Sequence, residues 1–234
     1  MVFQPIYFLT ESIDVISNKI LKALKEEINS EFSKAAFLFN IEARLKELTS
    51  DYLHDTPEYK ALTDGELVGQ FGFYKGTQYS KVDRIIDQAI QQVHVEFIPI
   101  VGITKSGFFG GGLRMYIIEA DFRKIIESNE AHIITEKEYD LHWLKWLLLD
   151  GNKIIIDTHY FHPTGFSTSR SGRGLMYSNE SKVEKYSRGW RIPPQYAGTI
   201  RKNWFTRALI NKKEIFELYA ANVIELEIKR SLYG

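Results

Sequence analysis

The sequence predicts an α+β fold in which long amphipathic helices at both ends flank a small antiparallel sheet, with a projecting β-hairpin and a long basic loop. Two observations predict it. Apolar residues recur every three or four positions near both termini, and apolar runs bounded by glycine or proline occupy the middle. A single domain over 1–234 is expected, because the 44% apolar content suffices for one large core and no internal repeat is present.

The first helical pattern begins after Thr10 or Ser12, whose side-chain oxygens can cap a helix. It continues to Tyr52 as one helix or as a helix pair that breaks near Asn40, and must end before Pro57 because proline cannot continue a helix. The early apolar residues that share one helix face are Ile13, Ile16, Ile20, Leu24 and Ile28.

A β-hairpin is predicted in the middle of the chain. Its strands would be 93–105 and 113–120, joined by a glycine-rich tip at about 106–112. The tip carries Phe108 and Phe109, and exposed aromatic rings at such an end can anchor in a pocket of a partner protein.

The remaining elements follow from periodicity and from helix-stop residues. Segments 81–92, 136–149 and 214–232 are predicted to be helices, while 131–135 and 154–161 are predicted to be strands. In the first of these helices, the residues expected to face inward are Val82, Ile85, Ile86 and Ala89.

Charge is distributed unevenly although the net charge is zero. Residues 1–162 contain 17 basic and 24 acidic residues, whereas 163–207 contain nine basic and two acidic residues. No helical or strand pattern continues through most of this basic stretch, so we expect an extended arm over about 163–198. A long loop inside a compact chain is usually functional or disordered.

The composition excludes several kinds of protein. The chain contains no cysteine, which excludes disulfides, thiolate metal sites and cysteine nucleophiles. No signal-peptide pattern and no apolar run of membrane-spanning length is present, so we expect a soluble protein made in the cytoplasm, without a membrane partner.

Motifs for metal or phosphate binding match poorly. His159 and His162 lie three residues apart in a predicted strand end, which points them to opposite faces, and His132 and His142 lie upstream without an evident third ligand. The glycine run 107–112 leads into a strand and lacks the Lys-Ser/Thr of a phosphate-binding loop. No metal and no cofactor is therefore expected.

No catalytic set emerges either. Ser167, Ser169 and Ser171 lie near Arg170 and Arg173, but no nucleophile motif surrounds them. We therefore expect a protein that is not an enzyme.

Four segments of the sequence resemble those of a known family. They are 56–72 (TPEYKALTDGELVGQFG), 143–156 (WLKWLLLDGNKIII), 169–176 (SRSGRGLM) and 189–209 (GWRIPPQYAGTIRKNWFTRAL). Together they resemble a group of tailed-bacteriophage virion proteins, the neck, tail-completion and minor tail components.

The resemblance implies a structural subunit of the virion, assembled in the host cytoplasm. It implies a homo-oligomeric ring at the head–tail connector or tail top, in contact with neighbouring head-connector and tail proteins. In such an assembly the partner contacts would fall on the hairpin tip and on the arm. The arm residues expected to make them are Arg170, Arg173, Arg188, Trp190 and Arg191.

A second hypothesis is a nucleic-acid-binding module that uses 163–207. Its basic residues can follow a phosphate backbone, and its aromatic rings can stack on bases. The neutral whole chain is unlike most dedicated nucleic-acid binders, which favours incidental contact with DNA instead.

Overall fold

The described part of the chain consists of helices and short strand pairs, as the α+β prediction requires. In this computed structural model the described residues are 13–74, 76–104, 107–116, 122–135, 138–151, 153–157, 159–161, 176–178 and 189–233. The helices are α1 Ile13–Phe32, α2 Ala35–His54, α3 Pro57–Thr63, α4 Glu66–Gln70, α5 Gln78–Gln91, α6 Arg123–Ile126, α7 Trp143–Leu149, α8 Trp204–Ile210 and α9 Lys213–Tyr233.

The strands pair two by two. The pairs are β1 His94–Ile98 with β4 Gly112–Tyr116, β2 Gly102–Thr104 with β3 Gly107–Phe109, β5 Ile133–Ile134 with β6 Asp140–Leu141, and β7 His159–Phe161 with β8 Met176–Ser178. The last three pairs are antiparallel. Within the described ranges the strands thus form separate two-stranded ladders, where the sequence predicted one small sheet.

The chain divides into two compact units. The first contains residues 1–43, 94–115 and 215–234, and the second contains 44–93 and 116–214. Neither unit is a continuous stretch, because the chain passes between them four times. The single domain over 1–234 therefore stays a prediction.

The first unit is organised around Phe32, which is fully buried. Its ring packs against Phe37 and Phe97 at centroid distances of 4.5 and 5.3 Å. The side chain of Asn29 binds the backbone of Ile100 twice, accepting from its N–H at 2.8 Å and donating to its carbonyl at 3.2 Å. These bonds tie α1 to the segment between β1 and β2.

The N-terminal helical stretch breaks between Phe32 and Ala35, so the break predicted near Asn40 is wrong. The buried contact of Phe32 with Phe37 spans the break, while Phe39 is 70% exposed. Periodicity alone could not tell which of these aromatic residues would be buried. The predicted end before Pro57 is confirmed, since α2 ends at His54.

The glycine run does not form one loop as expected for 106–112. Residues 107–109 form β3, and Gly111 (φ 89°) lies in the segment that joins β3 to β4. A Cβ at Gly111 would lie 2.7 Å from Cγ1 of Ile100, so this close approach requires glycine.

The second unit contains the larger core. Its helix α5 confirms the predicted inward face, because Val82, Ile85, Ile86 and Ala89 are each 0% exposed. Around α5 lie buried aromatic residues, including Phe71 and Trp143, whose ring centroids are 5.9 Å apart.

The helix predicted over 136–149 is wrong for the described residues 138–142. Asp140 and Leu141 form β6 and pair with β5, and helix α7 begins only at Trp143. A cross-strand partner thus overrode the local helical pattern. Among the described residues, no helix is long and apolar enough to cross a membrane.

Candidate functional site

The residues predicted to contact partners lie in different parts of the fold. Phe109 ends β3 and is 62% exposed, directly after Phe108 in the same strand. Arg191 is exposed in the second unit. The other three arginines (Arg170, Arg173 and Arg188) lie outside the described residues.

Trp190 is a core residue, which corrects its predicted role in partner contact. It is 4% exposed and packs against Phe71 and Trp146 at centroid distances of 6.0 and 5.9 Å. Its backbone pairs with Ile156, with Trp190 N donating to the Ile156 carbonyl at 2.6 Å. The ring is therefore enclosed within the second unit.

The sequence segments 56–72 and 189–209 contact each other inside the second unit. Trp204 donates from its indole Nε1 to Oγ1 of Thr56 at 2.7 Å. Arg207 binds the buried carboxylate of Glu58 through Nε at 2.9 Å and through Nη2 at 2.5 Å. Residues of these two segments therefore stabilise the core of the second unit.

Helix α9 is apolar on two sides. One side faces the core of the first unit, where Ile224 and Ile228 pack against the buried cluster around Phe32. The opposite side carries three exposed aliphatic residues, spaced three and then eight positions apart, which places them on one helix face. We call these residues the outer stripe of α9: Ile215, Leu218 and Leu226.

The outer stripe is exposed to an unusual degree for large aliphatic side chains. Leu218 is 62% exposed, Leu226 is 58% exposed and Ile215 is 43% exposed. The polar Asn222 lies between the two leucines on the same face and is also exposed. Single exposed apolar residues are ordinary, but several of them along one helix face are typical of a contact surface.

Other large apolar side chains of the first unit are exposed as well. They are Ile20, Phe39, Val101 and Phe109. The first unit therefore presents more apolar surface to solvent than the outer stripe alone.

A second candidate site lies on the β5–β6 ladder. Ile133 pairs with Leu141, so the antiparallel register places His132 opposite His142 at the next position. Asp140 lies in β6, and His142 follows one residue after that strand ends, with its ring centroid 4.4 Å from that of His132. The topology alone therefore brings two imidazoles and a carboxylate together.

The distances within this histidine cluster (His132, Asp140 and His142) are short. His132 Nδ1 lies 3.0 and 2.9 Å from the two carboxylate oxygens of Asp140. His142 Nε2 lies 3.7 Å from Asp140 Oδ2. One ligand atom from each residue lies within 4.8 Å of the other two, a spacing that suits a bound metal ion.

A cleft of about 470 Å³ adjoins the histidine cluster. Its lining includes His132, Asp140, Lys81 and Glu127. Lys81 donates from Nζ to the backbone carbonyls of Asn129 and His132, at 3.2 and 3.0 Å. Burial lowers the pKa of Lys81, and nearby Glu130 partly opposes this effect. The lysine thus secures the segment that carries His132 at the wall of the cleft.

Spacing along the chain does not reveal this cluster, although it draws attention to both histidines. His132 and His142 become neighbours only through the strand register. The signal that the sequence does contain is Asp140-x-His142. His132 precedes this motif by a separation that a short β-hairpin can span. Of the two histidines considered as a pair, His159 lies in β7 and His162 lies outside the described residues.

Comparison of the chain with protein-family models, with curated proteins and with solved structures found no match.

Proposed function

We propose that the protein is a structural subunit of a tailed-phage virion. It assembles with copies of itself into a ring of the head–tail connector or of the tail-completion class. The observation that carries the proposal is the outer stripe of α9. Leu218 and Leu226 are more than half exposed there, and burying them would remove apolar area from water.

The occupant proposed for this surface is a second copy of the chain. The segment 1–162 carries an excess of seven acidic residues, and 163–207 carries an equal excess of basic residues. Such a chain attracts itself head to tail, the acidic part of one copy meeting the basic part of the next. Head-to-tail contacts close into rings when the rotation between copies allows it.

The projecting hairpin and the basic loop supply further contacts in this proposal. The hairpin of β2 and β3 carries the exposed Phe109, which inserts into a pocket on an adjacent subunit. Arg170, Arg173, Arg188 and Arg191 of the arm bind acidic surface on neighbouring copies and on the head and tail proteins. A loop of this length loses conformational entropy on ordering, which such contacts offset.

Light scattering coupled to size exclusion tests the proposal on the full chain over a range of concentrations. We expect a defined oligomer, visible as rings by electron microscopy. Leu218→Glu should shift the oligomer to monomer, because it places a charge in the buried contact. Ala221→Glu adds the same charge at an exposed position beside the stripe and should disturb assembly less.

Two results count against the proposal. One is a wild-type chain that stays monomeric at every concentration and binds no head or tail component. The other is equal assembly by the two glutamate variants. A nucleic-acid-binding role would instead show duplex binding that weakens steeply with salt and is lost on Arg170→Glu/Arg173→Glu.

A further inference from the structure

We infer that His132, Asp140 and His142 bind a divalent transition-metal ion at the edge of the cleft. The inference is independent of the assembly proposal, since Asp140 lies in the β5–β6 ladder of the second unit and both histidines lie directly beside that ladder.

The hydrogen bonds of His132 point to a cation. Its Nε2 lies 3.0 Å from the backbone carbonyl of Ile126, and a carbonyl can only accept, so Nε2 carries a proton. In the neutral ring, Nδ1 then presents a lone pair to the Asp140 carboxylate, whose Oδ2 is 2.9 Å away. Two acceptors at this distance repel each other unless a positive charge lies between them. A metal ion supplies that charge and uses both lone pairs.

The Ile126 contact has a further role in this arrangement. Histidines that bind metals usually donate their other ring N–H to a carbonyl or carboxylate, which fixes the tautomer and the ring orientation. His132 already makes this bond through Nε2, leaving Nδ1 as the ligand atom. The orientation of the ring is therefore set before any metal binds.

The spacing of the ligand atoms fits a small ion. Nitrogen and oxygen ligands lie about 2.0–2.2 Å from zinc, so neighbouring ligand atoms of a tetrahedral site are roughly 3.3 Å apart. The Asp140 carboxylate is 2.9 Å from His132 Nδ1 and 3.7 Å from His142 Nε2, one value on each side of that spacing. All three ligand atoms lie within 4.8 Å of one another, so side-chain rotation has to complete the site when the ion binds.

The surrounding structure holds the first ligand and leaves the others accessible. The His132 carbonyl accepts from Lys81, and the Glu130 carbonyl, two residues earlier, accepts from Trp143 Nε1 at 2.8 Å. The His132 side chain is 22% exposed, whereas those of Asp140 and His142 are 41% and 44% exposed. An ion can reach the site from solvent, and its remaining position can hold water from the cleft.

The ligand set selects the class of metal. Two imidazoles and one carboxylate suit zinc, cobalt, nickel or ferrous iron, and are too nitrogen-rich for magnesium or calcium. Zinc is the natural probe for affinity. Cobalt(II) in the same site gives a visible absorption band whose intensity reports the coordination geometry.

The test is calorimetric titration of the full chain with zinc chloride, together with cobalt(II) absorption. We expect one zinc per chain, with affinity lost by about tenfold or more in both His142→Ala and Asp140→Asn. These two side chains are partly exposed, so both variants should fold, as circular dichroism can verify. The matched control is His94→Ala, which removes another exposed histidine and should bind zinc like wild type.

The inference is overturned if the wild-type chain binds neither metal, or if His142→Ala and Asp140→Asn bind zinc as tightly as His94→Ala. In that case the contact between His132 and Asp140 is an ordinary pairing of an imidazole with a carboxylate. The readout does not depend on oligomeric state, so failure of the assembly proposal leaves this result interpretable.

Discussion

The indole Nε1 of Trp204 donates a 2.7 Å hydrogen bond to Oγ1 of Thr56, 148 residues earlier in the chain. The same hydroxyl donates to the Leu53 carbonyl at 2.7 Å and accepts from the backbone N–H of Tyr59 at 3.2 Å. One buried hydroxyl therefore closes the end of α2, caps the start of α3 and satisfies the indole of α8. A hydroxyl has one donor and two acceptor positions, and all three are used.

Replacing Thr56 with valine should lower the free energy of unfolding by about 2–4 kcal/mol, since it removes a helix cap and leaves a buried indole N–H unpaired. Thr56→Ser keeps the hydroxyl and should lose much less. Urea unfolding followed by tryptophan fluorescence compares the two variants. Equal stability would show that the indole finds another partner.

The ion pair of Arg207 with Glu58 gives a second prediction. Glu58 is 5% exposed, and Arg207 also donates to the carbonyls of Tyr196 and Ala197 at 3.0 and 3.1 Å. Arg207→Met leaves a carboxylate buried without its partner and should cost about 3–5 kcal/mol of unfolding free energy. The double variant with Glu58→Gln should recover part of that loss. A double-mutant cycle in urea measures the coupling, and simple additivity would contradict it.

Stability should fall at high pH through Tyr59. Burial, followed by a 2.9 Å hydrogen bond to Asp83, raises the pKa of Tyr59 from 10.0 to about 12. The folded state therefore favours the neutral phenol. This contribution is fully present below pH 10.0 and is lost as pH rises through about 12.

Unfolding free energies measured across this alkaline window check the prediction. Tyr59→Phe should flatten the decline, because the titrating phenol is gone. Asp83→Asn should bring the pKa of Tyr59 closer to its ordinary value, as followed by ultraviolet absorbance of the phenolate. A decline that is identical in wild type and Tyr59→Phe would assign it to other groups.

Gly111→Ala should destabilise the β2–β3 hairpin more than Gly112→Ala. Both positions have positive φ, at 89° and 148°. Only at Gly111 would the new Cβ meet a neighbour, 2.7 Å from Ile100 Cγ1 and 3.0 Å from the backbone of that residue, whereas Gly112 faces open space. The difference should be about 1–3 kcal/mol.

Hydrogen exchange of the Val101 amide, which donates to the Phe109 carbonyl at 3.1 Å, reports this hairpin directly. Faster exchange in Gly111→Ala than in Gly112→Ala is the expected outcome. Equal rates would mean that Ile100 can move aside without cost.

Sequence patterns predicted correctly those features that neighbouring residues in the chain determine. Pro57 ended the helical stretch at the predicted place, and the apolar spacing of α5 identified its buried face. Patterns failed where pairing with another segment of the chain decides the structure. Trp190 looked like an arm residue until its pairing with Ile156 placed it in the core. Asp140 and Leu141 were predicted to be helical, but they pair with β5 as a strand.

The candidate sites divide in the same way. Phe109 was recognisable from the chain as an aromatic residue beside glycines, and it is exposed. The histidine cluster exists only because the β5–β6 register sets His132 opposite His142, and a shift of one residue would turn Asp140 and His142 to the other face. Spacing along the chain does not determine that register, so the sequence alone does not predict the cluster.

Ile156 and Trp190 are paired by an isolated β-bridge, so residues 157–189 form an insertion in the chain between two neighbouring residues of the second unit. The chain departs at Ile156 and resumes at Trp190, where Ile155 and Ile156 both donate to the Trp190 carbonyl, at 2.9 and 3.2 Å. A short turn can therefore replace everything between them without relocating either end. None of the described residues between 157 and 189 belongs to the buried cluster around α5, so we expect that excising this stretch would give a shortened protein that keeps that cluster, with a position where arms from other chains can be inserted and compared.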